Sequence, residues 1–220
     1  IVNWIRFFLR PDVRNRVEPA WRESLYRQLA WLERNVERHL LGNHYFKNGK
    51  ALAFGGLYFE GNDAERWLRT GLGILSCELR EQVLPDGGHF ERSPMYHAMI
   101  LTDVLDLANL FAARERPDLG AASERLRETA QSMLSFLFGM THPDGQIALF
   151  NDAVLLGHPE AGPAAALLAL ADQRGDVHDR PDFEGPDLHS RMLRHQLDGV
   201  VQVPGFKNED PTQLLFRFGV

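Results

Sequence analysis

A single cysteine, Cys77, stands among 220 residues, so no disulfide can close within the chain and no multi-cysteine metal site can form. Cys77 reads as a small core residue. Excess positive charge is also missing: 24 Lys and Arg face 30 Asp and Glu, a formal net charge of -6, with no basic block. This balance excludes nucleic acid as the main partner. A local patch for a polyanion stays compatible with it. No run reaches the roughly 18 apolar residues of a membrane span, so no membrane insertion is expected. The opening Ile1-Val2-Asn3-Trp4-Ile5-Arg6 lacks an initiator methionine and the pattern of a signal peptide, and the chain is expected to be part of something longer. There is no HExxH pattern, and His39, His142, His158, His178, His189 and His195 show no metal-ligand spacing. No metal or other cofactor is assigned to this segment.

What is present is mostly helical. A hydrophobic content of 44% supports a full core in one domain or one and a half. Trp21, Leu25, Leu29, Leu32, Val36 and Leu40 recur at three- and four-residue spacing, predicting one long helix. Trp21, Trp31 and Trp67 read as core at that spacing. A further helix is expected in the stretch from Ala51 to Phe59. Gly61-Asn62-Asp63 then caps a helix carrying Trp67, Leu68, Leu72, Leu75 and Leu79. Helices from Pro94 to about Ala113, from about Ala121 to Phe138 and from Pro163 to Ala171 complete the series. Asp176 to Asp187 reads as a loop, and 199–203 and 213–218 read as short strands. The expected fold is all-α, with a helical domain over 1–185 and, over 186–220, a linker and the start of a β-rich domain.

The run from Asp86 to His97 holds a Gly-Gly turn, two histidines, Glu91, Arg92 and Tyr96 just where a helix should begin. Ser93 is expected to cap that helix with its hydroxyl, and Pro94 suits its first position. Tyr96 then falls in the first turn, where the helix dipole favours negative charge on its oxygen. Such a tyrosine can carry a proton.

Several blocks together resemble one family: Ile1 to Ile5, Leu41-Gly42-Asn43-His44, Asn48-Gly49-Lys50-Ala51-Leu52, Asp86 to His97, Thr141-His142-Pro143-Asp144-Gly145 and Ala148-Leu149-Phe150-Asn151-Asp152. Their order and rough spacing resemble the heparinase II/III-like polysaccharide lyases. The resemblance implies an incomplete (α/α) toroid of antiparallel helix pairs, followed by a C-terminal β-sandwich domain of the same protein as its partner. It implies β-elimination on a uronic-acid-containing polysaccharide of heparin or heparan-sulfate type, or another acidic one. By the same likeness Asn43 neutralises the uronate carboxylate and Tyr96 serves as acid or acid and base. The family's scheme also uses a histidine, in several members from the β-sandwich, where any structural metal is held as well. Exported relatives favour a periplasmic location.

The remaining candidates for substrate contact are His44, Asn48, His89, Glu91, Arg92, His97, Asn151 and Asp152. His44 and His89 are read in polar turns. His97 falls on an apolar helix face, where a hydrogen-bonded core histidine is the competing role. Arg92 can meet a uronate or sulfate in bidentate fashion or pair with Glu91. Asn48 can simply start a helix, and Asn151-Asp152 can simply form a turn. Two rivals to a lyase stay open. A glycoside hydrolase needs two carboxylates across a cleft, with Glu91 and either Asp152 or Asp86 as the obvious pair. A non-catalytic protein that binds or assembles acidic glycans needs neither.

Overall fold

The computed structural model describes residues 1–40, 42–114, 116–142, 146–151 and 153. The expected helix at 163–171, the loop at 176–187, the strands at 199–203 and 213–218, and Asp152 lie outside the described residues. Among the described residues six α-helices follow in order: α1 Val2–Leu9, α2 Pro19–Arg34, α3 Gly42–Tyr58, α4 Asn62–Gln82, α5 Pro94–Ala112 and α6 Gly120–Gly139, with short 3-10 turns at Arg14–Arg16 and Pro117–Leu119. Among the described residues there is no strand, only an isolated antiparallel bridge between Thr141 and Ile147. No helix of theirs is long and apolar enough to cross a membrane.

The helices divide between two compact units. Among the described residues, unit 1 contains Ile1–Val83 and Asp103–Arg127, and unit 2 contains Leu84–Thr102 and those from Glu128 to Ala153.

Unit 1 is built around the α3–α4 pair. A Cβ at Gly56 would stand 2.6 Å from the Leu68 nitrogen, and one at Gly71 2.7 Å from the Ala53 nitrogen. The two backbones therefore meet with no side chain between them. Phe46, Leu52, Phe54, Trp67, Leu68 and Leu75 are buried along these helices. Trp67 also donates its Nε1 hydrogen to Glu33 over 3.1 Å, and its ring lies 5.1 Å from that of Tyr26.

Buried charge ties further helices to the pair. Lys50 of α3, 5% exposed, donates to Asp103 over 2.7 Å and to Asp106, both on α5. Arg6 of α1 pairs with Asp106, and Lys47 pairs with Asp103 at 2.5 Å. Isolated charges would not tolerate this burial, but opposed and hydrogen-bonded ones do.

Several expectations need correction. The α2 helix stops at Arg34 rather than Leu40, because Asn35 folds back and donates its side-chain amide to the Trp31 carbonyl over 2.8 Å. Trp21 and Trp31 are exposed, not core, since α2 buries only Leu25 and Leu29. Trp67 alone of the three is internal. Cys77 is half-exposed on α4 rather than core, its sulfur 4.0 Å from Glu81. The α3 helix begins nine residues before Ala51, at Gly42, and α1 went unread in the opening apolar residues.

The close α3–α4 contact generates a paired test within one helix. Gly71→Ala should destabilise the protein by about 1–3 kcal/mol, because its methyl meets backbone that cannot yield. Gly73→Ala, where no atom lies within 4 Å, should stabilise it by about 0.5–1 kcal/mol through helix propensity. Urea unfolding midpoints of the two variants should move in opposite directions.

Candidate functional site

The run from Leu84 to Ser93 is shaped by short-range hydrogen bonds. Gly87 donates to the Leu84 carbonyl over 2.9 Å, Leu84 donates to the Gly88 carbonyl over 2.8 Å, and Gly88 donates to the Asp86 carboxylate over 2.9 Å. Gly87 has φ 86°, and a Cβ there would collide with the Ser132 carbonyl of α6. Left-handed backbone and lack of space demand glycine together. The turn is thereby pressed against α6.

Beyond the turn the chain buries His89 and enters α5. The His89 ring, 2% exposed, has its pKa lowered to about 4 by burial and, secondarily, by nearby His97. His97 is 1% exposed, and its Nε2 donates to the Met133 carbonyl over 2.9 Å. Burial lowers its pKa as well, opposed by that hydrogen bond and by Asp86. Both rings are therefore neutral near pH 7.

Arg92 has φ 56° and Asn151 φ 54°, left-handed values in two non-glycine residues. Asparagine accepts this conformation readily, whereas arginine does so at a cost of about 1–2 kcal/mol. Asn151 offsets that cost by donating its side-chain amide to the Arg92 carbonyl over 2.7 Å, with a longer contact of 3.4 Å to the Glu91 carbonyl.

Between these parts lies a cavity of about 560 Å³, lined by the 84–88 turn, His89, Arg92, Ser93, His97, Phe136 and Asn151 among others. This size suits a small ligand or one sugar residue of a longer chain. Another depression, of about 690 Å³, runs along α2 beside Arg27, Gln28 and Trp31; it contains none of the candidate site residues.

Of the residues singled out from sequence, unit 2 brings His89, Arg92, His97 and Asn151 to one cavity. Tyr96 is half-exposed at the third position of α5, and Glu91 is half-exposed ahead of that helix; neither lines the cavity. The remaining described candidates lie in unit 1. Asn43 is half-buried at the second position of α3, and its Oδ1 is buried with no hydrogen-bond partner among the described residues. His44 stands in the first turn of α3 rather than in a loop, exposed, with Nδ1 3.8 Å from Glu37. Asn48 is buried and spends both amide hydrogens internally, on Glu37 at 3.0 Å and on the His44 carbonyl at 2.9 Å, while its oxygen accepts from the Glu37 amide. It pins the segment that leads into α3.

One local expectation fails. The Ser93 hydroxyl does not cap α5; it is buried without a hydrogen-bond partner among the described residues, and its carbonyl instead accepts from the His97 amide over 2.9 Å. Sequence gives no hint of Phe136 or the Met133 carbonyl as parts of the site, since both come from the packed face of α6.

The sequence pattern of the heparinase II/III N-terminus family matches residues 2–159. The chain belongs to that family. Among related proteins, the heparin-sulfate lyase of Bacteroides stercoris is 29% identical over 123 residues, covering 54% of this chain and 18% of that protein. FtsZ-localized protein C of Caulobacter vibrioides is 30% identical over 145 residues, 66% of this chain and 23% of that protein. The crystal structure of heparan sulfate lyase HepC from Pedobacter heparinus superposes with a TM-score of 0.54 at 21% identity, over 87% of this chain and 28% of that one. That likeness supports a helical fold in common. The chain thus spans about a fifth of the length of these two relatives.

The neutral histidines give the site a pH signature. A folded pKa of about 4 for His89, against about 6.5 unfolded, means that the unfolded state binds the extra proton first as pH falls. Stability should be fully present above pH 6.5 and decline from there toward pH 4, by an order of 2–3 kcal/mol for His89 by pH 4.5. Urea unfolding of the protein at pH 7.5, 6.0 and 4.5 should show this slope, and His89→Gln should reduce it.

Proposed function

We propose that this chain is the helical part of a polysaccharide lyase that cleaves an acidic, uronate-containing polysaccharide by β-elimination. In this reading the six helices belong to an incomplete (α/α) toroid over residues 1–185, and residues 186–220 lead into a β-sandwich domain. Family membership together with the heparin-sulfate lyase relatives carries the proposal. In the elimination a base removes the proton next to the uronate carboxylate, and the 4-oxygen leaves with a proton. The carboxylate must be neutralised so that charge can spread into it. Asn43 takes that task, because an amide donates without adding a competing charge, and Tyr96 moves the proton, because one oxygen can take and return it.

The family resemblance of the sequence blocks that carry Asn43 and Tyr96 is what supports pairing these two residues. Arg92, exposed and lining the cavity, suits a uronate or sulfate. His44, Asn48, His89, Glu91, His97, Asn151 and Asp152 remain proposed contacts or supports. No metal is assigned to this segment, and a periplasmic site of action fits an extracellular polymer.

A second reading rests on the match to FtsZ-localized protein C, a protein named for where it localises rather than for a bond it breaks. On that reading the helical domain serves binding or assembly without turnover.

Incubation of the complete protein with heparan sulfate, heparin, hyaluronan and alginate separates the two. A lyase produces an unsaturated uronate that absorbs in the ultraviolet; a binding protein or a hydrolase does not. Tyr96→Phe should lower elimination by about 10² to 10⁴, the scale of general acid-base catalysis. Asn43→Ala should lower it by about 10² to 10³ while substrate still binds. Undiminished elimination in both variants contradicts these roles.

A further inference from the structure

Two segments 59 positions apart are fastened beside the unit 2 cavity by one side chain. The Asn151 amide donates to the Arg92 carbonyl over 2.7 Å and lies 3.4 Å from the Glu91 carbonyl. The residues just before Asn151 add little apolar anchorage, since Leu149 and Phe150 are each 55% exposed. Arg92 and Asn151 both have left-handed backbone, with φ 56° and 54°. They do not bear it equally. Asparagine is at ease in that region, whereas arginine stays there only where its surroundings hold it. A side chain leaves the backbone along the Cα–Cβ bond, so the φ of Arg92 sets the direction in which its guanidinium starts out. Released to the ordinary negative range, the side chain would be aimed elsewhere. That direction matters for the cavity. With the His89 and His97 rings neutral near pH 7, Arg92 is the one cation among the described residues that line it. Asp86 lines it too, with one carboxylate oxygen already accepting from the Gly88 amide.

We propose that Asn151 is a positioning residue: it touches no substrate itself, and by holding Arg92 in left-handed backbone it aims the guanidinium at an acid group of a sugar in this cavity. The acidic sugar as ligand rests on the lyase reading; the latch rests on the two φ angles and the hydrogen bond. Asparagine suits the position on two counts, being tolerant of left-handed backbone and able to donate to a carbonyl. Glycine meets the first and lacks the second. Asn151→Gly therefore opens the latch without straining residue 151.

The experiment is calorimetric titration of the complete protein with a heparin tetrasaccharide at about 50 and about 300 mM sodium chloride. A Tyr96→Phe background suppresses turnover, and Asn151→Gly, Arg92→Ala and the double variant are compared with it. Arg92→Ala should weaken binding about tenfold at low salt, the loss of one charge-assisted contact, and should reduce the salt dependence because an ion pair is gone. Asn151→Gly should weaken it by about fivefold to tenfold and reduce the salt dependence likewise, although asparagine carries no charge. The double variant should bind no more weakly than Arg92→Ala, because the latch then has nothing to aim. If Asn151→Gly fails to fold, Asn151→Asp, which keeps the shape and loses the donor, takes its place in the same cycle. A direct contact between Asn151 and the sugar would make the two losses multiply. A purely structural role would lower Tm and leave affinity and salt dependence unchanged. Either result overturns the proposal, as does absence of binding by the Tyr96→Phe parent. Failure of the lyase reading is seen separately, as absence of ultraviolet-absorbing product from the unsubstituted protein while binding and the non-additivity persist.

Discussion

The buried ammonium of Lys50 sets the terms for much of this protein. A lysine that is 5% exposed has lost its water, and its charge is tolerable only where carboxylates converge on it at hydrogen-bonding distance. Asp103 and Asp106 do so from one face of α5, and they need cations of their own, which Lys47 and Arg6 supply. Removing any one of these groups leaves another buried and under-compensated. The network therefore selects one register between α3 and α5, where apolar packing alone would tolerate neighbouring ones.

Unit 2 solves a different problem, that of holding polar groups ready without filling their hydrogen-bonding capacity. Gly87 allows the 84–88 turn to press on α6. Asn151 holds the Arg92 backbone in a conformation that arginine adopts reluctantly. Met133 fixes the tautomer of His97. The result is a cavity lined by two neutral imidazoles together with Arg92 and Asp86. Strain and unmet polar atoms concentrated in one place are more informative about binding than any single residue type there.

The order of helices was legible because their apolar spacing is regular. Expected and observed limits of α5 and α6 agree to within a residue. Spacing could not tell which side of a helix meets a neighbour, and so Trp21 and Trp31, in phase with Leu25 and Leu29, were misread as core. Nor could it register the Asn35 side chain ending α2 ahead of Val36 and Leu40. At the site, the Asp86 to His97 run marked the right segment, since glycine, proline and polar side chains cluster there. Its expected cap was wrong because a Ser-Pro pair specifies backbone geometry but not where the hydroxyl points. Lys50 was visible only as part of a sequence block; its burial depends on carboxylates more than 50 positions away, which no local pattern reports.

The account's central claim, that Asn43 and Tyr96 serve one sugar, is tested most directly by a crystal structure of the complete protein holding an acidic oligosaccharide. It predicts the uronate carboxylate within hydrogen-bonding distance of the Asn43 amide, and the Tyr96 hydroxyl within reach of the glycosidic 4-oxygen of that same residue. A bound oligosaccharide that touches neither residue, or side chains of Asn43 and Tyr96 opening onto different surfaces, would contradict it.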